Sequence, residues 1–225
     1  MQKSRLQKLS PGLRKLIFTQ SGAGKTAAGT LSDYVKKSST PVSAFAERTL
    51  NHCNGGATLQ AALWLKDHLK KGGKLVVTIA GALSSFQVGV MLAELIRQNK
   101  VHFVSATAAN HEESYYRYVA HSHYAYIPHY TELTPEQEAE LRDANFCRIT
   151  DTFLPEEESV RVMEPHLLKF WKEAQKKGER YFPHEYFRRL FAEGLIKPDE
   201  GGNPNDCWAH ACHQKNIPIV IPGFE

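Results

Sequence analysis

Two short apolar runs on either side of an amphipathic segment restrict the fold of this sequence most. Residues 74–80 (KLVVTIA) follow Gly72-Gly73, and residues 101–107 (VHFVSAT) form the second run. The segment between them is predicted to be a helix, because four apolar residues share one helical face: Val88, Leu92, Leu95 and Ile96. Two short buried strands joined by a helix within about thirty residues are typical of a parallel βαβ unit. The sequence therefore predicts an α/β fold.

The remaining apolar pattern extends this prediction. Residues 217–222 are expected to be a third buried strand, close to the end of the sequence at residue 225. Further helices are predicted from apolar periodicity and glycine breaks: 46–71 with a break at Gly55-Gly56, 112–119, 205–215 and most of 128–206. Open parallel sheets usually have more than three strands. We expect a Rossmann-like parallel sheet flanked by helices, truncated after about three strands, with residues 41–225 as the N-terminal part of the domain.

Charge is distributed unevenly along the chain. Residues 1–39 contain eight Lys and Arg but only one acid, Asp33, so their net charge is +7. The other residues carry 20 − 23 = −3, which argues against a nucleic-acid-binding surface on the folded part. We expect residues 1–40 to be a basic, flexible N-terminal extension, with an organellar transit peptide as the alternative.

Cysteine usage and hydropathy indicate the compartment. The four cysteines are too few and too scattered for a secreted disulfide framework. The sequence has no apolar run long enough to span a membrane. These features predict a cytoplasmic protein that does not enter a membrane.

Three motifs resemble phosphate-binding or metal-binding sites, but we interpret each of them as part of the folded structure or as linker. Residues 21–26 (SGAGKT) lack the first glycine of a phosphate-binding loop, because Thr19 occupies its position, and they are interpreted as linker. Residues 207–213 (CWAHACH) are interpreted as a buried helix rather than a zinc site, because the four soft ligands do not share one helix face. The histidines at 121, 123 and 129 are interpreted as loop residues, and no metal site is predicted.

Two loops follow the carboxyl ends of the predicted strands. Residues 81–85 (GALSS) and 107–110 (TAAN) consist mostly of small residues, which let a ligand approach the backbone. In open α/β sheets this edge forms the ligand crevice. Glu112 and Glu113 begin the next helix, where acids complement the helix dipole; the alternative is that they attract a polycation such as a polyamine. From the residues alone, the dipole interpretation is favoured.

The order of several longer motifs resembles the deoxyhypusine synthase family, nearest its prokaryotic deoxyhypusine synthase-like branch. The motifs are GGKLVVTIAGALSS, LAELIRQNKVHFVSATAANHEES, ITDTFLPEEE, GERYFPHEYF and WAHACHQKNIPIVIPG, between about residue 41 and residue 225. The resemblance implies an NAD-binding fold in a homotetramer with sites at subunit interfaces. It also implies transfer of an aminobutyl group from spermidine, through an enzyme lysine imine, to a lysine of an acceptor protein. For the prokaryotic branch, another polyamine or another amine acceptor stays open.

The resemblance also assigns residues by position. It implies that NAD contacts two loops together with Glu113: Gly81, Ala82, Leu83, Ser84 and Ser85, then Thr107, Ala108 and Ala109. It implies that Glu112 and Glu113 hold the ammonium groups of the polyamine, which reverses the preference for the dipole interpretation. Two carboxylates can pair with a cationic amine and hold it beside a nicotinamide.

The family's second half has no counterpart in these 225 residues. In the family that half supplies the imine-forming lysine, so we expect no catalytic residue within this chain and no transfer by the chain alone. The alternative function is a non-catalytic subunit or pseudoenzyme of the same family that needs a complete partner chain. The expected partners are a polyamine, an acceptor protein, and either identical subunits or a complementing chain, but neither nucleic acid nor membrane.

Overall fold

The computed structural model describes residues 2–19 and 42–223. These form two compact units, one of residues 42–75 and one of residues 2–19 together with 76–223. The proposed linker and its SGAGKT motif lie outside the described residues. The helices of the described part are α1 Gln2–Gln7, α2 Pro11–Leu16, α3 Val42–Thr49, α4 Cys53–Lys70, α5 Gly89–Arg97, α6 Ala108–Ala120, α7 Pro135–Asp143, α8 Val160–Lys177, α9 Pro183–Ala192 and α10 Trp208–Lys215. The strands are β1 Phe18–Thr19, β2 Val76–Ile79, β3 Phe103–Ala106, β4 Ala125–Tyr126, β5 Cys147–Ile149, β6 Thr152–Leu154 and β7 Ile219–Val220.

A parallel sheet with strand order β2-β3-β7 organises the larger unit. Ile79 pairs with Ala106, and Val104 pairs with Ile219, so the three predicted strands are neighbours. The connecting helix α5 buries Leu92, Ala93 and Ile96. The α/β prediction is confirmed, with a parallel sheet flanked by helices. Helix α6 begins at Ala108, four residues before the predicted start at residue 112.

A second sheet is antiparallel, with strand order β1-β4-β6-β5. Its strands are only two or three residues long, so they leave no alternating pattern in the sequence. Strands β5 and β6 form a hairpin inside the region that was expected to be mainly helical. Buried apolar residues pack together around this sheet: Leu9, Leu13, Ile17, Ala125, Ile127, Leu141, Ala144 and Phe153.

The N-terminal residues differ from the flexible extension that was expected. Leu9, in the bend between α1 and α2, and Leu13 of α2 are 1% and 0% exposed, and both pack into the core beside the second sheet. Lys8, Arg14 and Lys15 remain exposed, which explains why the composition resembled that of a solvated tail. The difference concerns residues 2–19; the rest of the proposed extension is outside the described residues.

The smaller unit contains α3 and α4. The predicted break at Gly55-Gly56 is wrong, because both glycines lie in the first turn of α4 and the chain leaves the helical path over residues 50–52. Helix α4 ends where predicted, next to Gly72, whose φ of +84° suits glycine. Among the described helices, none is both long and apolar enough to cross a bilayer.

The start of α5 requires a glycine at position 89. A Cβ placed there would lie 2.7 Å from Cδ1 of Trp208, a side chain that is 1% exposed at the start of α10. We expect Gly89→Ala to lower the free energy of unfolding by about 1–3 kcal/mol, because a buried ring must move. Gly12→Ala is the matched control, since nothing lies within 4 Å of its Cβ position and alanine favours the helix. Equal effects of the two substitutions in urea unfolding would contradict this packing.

Candidate functional site

The loop after β2 begins with a glycine in the left-handed region. Gly81 has a φ of +71° and is exposed, and nothing lies within 4 Å of its Cβ position. Backbone hydrogen bonds fold the following residues into a compact turn: Phe86 N donates to Ala82 O at 3.2 Å, and Val88 N donates to Leu83 O at 3.0 Å. The loop therefore keeps an open backbone surface at the carboxyl end of β2, where a ligand can approach closely.

Asn110 joins this loop to the loop after β3. Its Oδ1 accepts a hydrogen bond from Ser84 N at 3.0 Å, and its Nδ2 donates to Gly81 O at 2.5 Å and to Thr107 Oγ1 at 2.9 Å. Its backbone oxygen accepts from Ser84 Oγ at 2.7 Å. The Asn110 side chain is fully buried. One side chain thus fixes the distance between two loops that are almost thirty residues apart in sequence.

Trp208 supports the same loop from α10. Its Nε1 donates a hydrogen bond to Ser84 Oγ at 3.0 Å. Since that hydroxyl also donates to Asn110, Ser84 is committed to the protein's own network and positions the loop. The family resemblance implies that Ser84 contacts the cofactor, whereas neither Asn110, in the predicted loop 107–110, nor Trp208 could be given an individual role from sequence. Only the short spacing between residue 107 and residue 110, at a helix start, hinted at a capping residue.

The side chain of Glu113 is buried against the loop after β2, which is called the first loop below. It is 5% exposed, and its Oε2 accepts a hydrogen bond from Ser85 N at 3.1 Å. Arg117, one turn later on α6, donates to Ser85 O, and its guanidinium lies 3.6 Å from the centre of the Tyr124 ring. Burial raises the pKa of Glu113, and the hydrogen bonds from Ser85 and the charge of Arg117 oppose this rise. Glu113 and Arg117 together hold both backbone groups of Ser85.

Glu112 faces different surroundings. It lines a cavity of about 180 Å3 with Tyr116 and with residues of α8, and Tyr116 OH lies 3.5 Å from its Oε2. Burial raises the pKa of Glu112, the bond from Tyr116 opposes the rise, and the negative charge of Glu113 adds to it. Among the described residues, no Lys, Arg or His forms an ion pair with Glu112. Adjacent helical residues point about 100° apart, so the two carboxylates separate as helix geometry requires.

The remaining residues that the resemblance assigns to the cofactor, Thr107, Ala108 and Ala109, lie at the same sheet edge. Thr107 N donates a hydrogen bond to Ile79 O at 3.1 Å. This bond joins the last residue of β2 to the start of the second loop, residues 107–110. Ala108 is half-buried and Ala109 is exposed, whereas Ser85 is fully buried. The backbone at Gly81 and Ala109 is therefore more accessible than the serine hydroxyls that the sequence suggested as ligand contacts.

The Cys- and His-containing segment at residues 207–213 is built into the fold. Cys207 caps α10, where its Sγ accepts from His210 N at 3.3 Å, and it also contacts Ser114 at 3.3 Å. Burial raises the pKa of the Cys207 thiol to about 11. The buried-helix interpretation of this segment is confirmed, and the helix packs against α5. In the described part of the chain, no three His, Cys, Asp or Glu side chains converge as a metal site would require.

Comparison with protein-family models gives a match over most of the chain. The family model described as "Deoxyhypusine synthase" matches residues 47–225, which is most of the chain and includes both loops, Glu112 and Glu113. No curated protein matches the chain. This family model covers the parallel sheet and every element that positions the candidate site. The chain therefore belongs to the deoxyhypusine synthase family.

Proposed function

We propose that this chain provides the NAD- and polyamine-binding part of a transferase that moves an aminobutyl group from spermidine, or a related polyamine, to an amine acceptor. Membership of the family supports a transferase of this type. The observation that carries the proposal is Glu112, a half-buried carboxylate that lines a cavity without a cationic partner in the described residues. A polyamine ammonium group would supply the missing charge.

The residues around the two loops suit a dinucleotide. Gly81 leaves its backbone open and would let the cofactor approach, and Thr107, Ala108 and Ala109 would line its other side. Ala82, Leu83, Ser84 and Ser85 would shape the wall, with Glu113 holding it in place. NAD, when bound, supplies a hydride acceptor for oxidation of the polyamine.

The chain's own groups would perform binding and positioning. Glu112 would hold an ammonium group by a charge-assisted hydrogen bond, which is strengthened by its partial burial. Glu113, which the resemblance also assigns to the polyamine, would act mainly by fixing Ser85 and the first loop. Asn110 would keep both loops at a constant separation before any ligand arrives, so little ordering would be needed on binding.

Calorimetric titration of the full natural protein tests the proposal. We expect NAD to bind, and spermidine to bind to the NAD-loaded protein. An uncharged diol of similar length is the control ligand, because it matches the chain but lacks the ammonium groups. Saturating spermidine without a binding signal, or equal affinity for the diol, would contradict the proposal.

Acidification should weaken spermidine binding because the carboxylate that holds it becomes neutral. Burial raises the pKa of Glu112, so the loss of affinity should begin at a higher pH than an ordinary glutamate would cause. Glu112→Gln should flatten this part of the pH profile. A profile in the Gln variant that parallels wild type would show that another group controls the binding.

A further inference from the structure

Another cavity lies between α6, α9, α10 and the start of β7. Its volume is about 140 Å3, and its polar lining residues come from the three helices: Tyr115, His184, Arg188 and His213. Residues 217–219 form part of its apolar wall. Since β7 begins at Ile219 and pairs in parallel with β3, the cavity lies towards the amino end of the sheet, away from the two loops. It shares no lining residue with the cavity beside Glu112, so it is a separate site.

The lining of this cavity carries positive charge and no carboxylate. Within the described residues, no Asp or Glu lines it, and Arg188 forms no ion pair. Arg188 Nη2 donates a hydrogen bond to Asn216 Oδ1 at 2.6 Å, which fixes the position of the guanidinium. A guanidinium has five N–H groups, so most of the donors of Arg188 stay available. A half-buried cation with a fixed position and no counter-charge is thus part of the wall.

Tyr115 and His213 add polar groups that the fold does not use. Tyr115 is 1% exposed, and its hydroxyl has no hydrogen-bond partner in the described part of the chain. Nδ1 of His213 is buried and also lacks a partner there. Burial raises the pKa of Tyr115 and lowers the pKa of His213, and the charge of Arg188 opposes the rise and adds to the fall. The three groups are therefore close enough to act on one another, and a ligand that accepts their hydrogen bonds would satisfy them.

The helix ends around the cavity do not oppose an anion. The last carbonyl groups of α10, those of Cys212 and His213, accept hydrogen bonds from Ile217 N and Asn216 N. Helix α9 carries His184 in its first turn, where the helix dipole is positive. Glu185, the acid of that turn, accepts a hydrogen bond from Phe182 N at 2.7 Å. The charge and the dipole of α9 thus both favour a negative ligand.

We infer that this cavity binds a phosphate-type oxyanion, with Arg188 as the charged anchor and Tyr115 and His213 as further donors. Donors on three helices meet a ligand from several sides, which suits the tetrahedral oxygens of phosphate better than the two coplanar oxygens of a carboxylate. The cavity is smaller than the roughly 300–1,000 Å3 of ordinary ligand pockets, so it holds the ion or one phosphate group of a larger molecule. The inference is independent of the proposed function, because it involves neither the two loops nor Glu112.

Calorimetric titration with inorganic phosphate tests the inference. The full natural protein is titrated at constant ionic strength with phosphate, with ethyl phosphate and with acetate. We expect phosphate to bind more tightly than acetate. Arg188→Gln should weaken phosphate binding by about 10- to 150-fold, because a hydrogen bond to a charged group is lost. Tyr115→Phe should weaken it by about 3- to 10-fold, because one neutral donor is removed.

Two features of the design separate binding from folding. Arg48→Gln removes the same charge from an exposed position on α3 and should leave phosphate affinity unchanged. Tyr115→Phe keeps the ring that stacks on Phe191, with ring centres 4.6 Å apart, so this variant should fold even where Arg188→Gln is destabilised. Thermal unfolding without phosphate is measured for each variant.

The two phosphate ligands distinguish the source of the anion. Binding of ethyl phosphate as tight as that of phosphate would identify one phosphate group of a larger molecule, whereas binding of phosphate alone would identify the free ion; both results support the site. Wild type without phosphate binding, acetate binding as tight as phosphate binding, or a phosphate affinity that Arg188→Gln and Tyr115→Phe change no more than Arg48→Gln does would each overturn the inference.

Discussion

Replacing Asn110 by alanine is expected to lower the free energy of unfolding by about 2–4 kcal/mol and to weaken NAD binding by at least about tenfold. The substitution leaves Ser84 N, Gly81 O and Thr107 Oγ1 without the partner that now satisfies all three. A buried polar group that loses its partner costs about 1–3 kcal/mol. Because Asn110 is the link between the loops, their separation should also become variable.

Two further variants test whether the lost hydrogen bonds of Asn110 cause these losses of stability and NAD affinity. Asn110→Asp keeps the acceptor for Ser84 N but places a carboxylate oxygen against Gly81 O, which can only accept, so we expect it to be at least as damaging as alanine. Asn54→Ala, in an exposed position at the start of α4, is the neutral control. Urea unfolding and NAD titration give both readouts. If Asn110→Ala behaves like Asn54→Ala, the network does not control the loops.

Replacing Glu112 by glutamine is expected to weaken spermidine binding by about 10- to 150-fold, because a charge-assisted hydrogen bond contributes about 1.5–3 kcal/mol. The unliganded protein should become slightly more stable. Burial raises the pKa of Glu112 in the folded chain, so its ionised form opposes folding above the ordinary glutamate pKa, and glutamine removes that charge.

Stability and binding therefore move in opposite directions in this variant, which excludes unfolding as the cause of weaker binding. Glu200→Gln is the control, since it removes the same charge from an exposed position. A Glu112→Gln variant that is less stable than wild type and binds spermidine normally would make Glu112 a structural residue.

The parallel sheet was predictable from sequence because it depends on local pattern. Residues 74–80 and 101–107 are mostly apolar, so two strands joined by a helix in a parallel βαβ unit could be predicted. The apolar face of that helix was predicted only in part, because Leu92 and Ile96 are buried whereas Val88 and Leu95 are exposed. The position of β7 beside β3 was not predicted. The antiparallel sheet was not predictable in this way. Two-residue strands such as β1 and β4 are defined by pairing between distant segments, and no local periodicity records that pairing.

The candidate site was also predictable only in part from sequence. The edge where the loops lie followed from strand direction, and the family resemblance supplied the residue types. The role of Asn110 depends on partners up to 29 residues away, which sequence spacing cannot reveal. The separation of Glu112 from Glu113 was predictable in principle, because neighbours on a helix do not share a face. Which of them meets the loop and which the cavity depends on how α8 and α9 pack against α6.

The proposed division of work between these two acids is the central claim, and a crossed titration tests it most directly. Spermidine and NAD are titrated calorimetrically into wild type, Glu112→Gln and Glu113→Ala of the full natural protein. Glu113→Ala removes the acceptor for Ser85 N and should mainly weaken NAD, whereas Glu112→Gln should mainly weaken spermidine. Equal losses for both ligands in both variants, or unchanged spermidine affinity in Glu112→Gln, would contradict it.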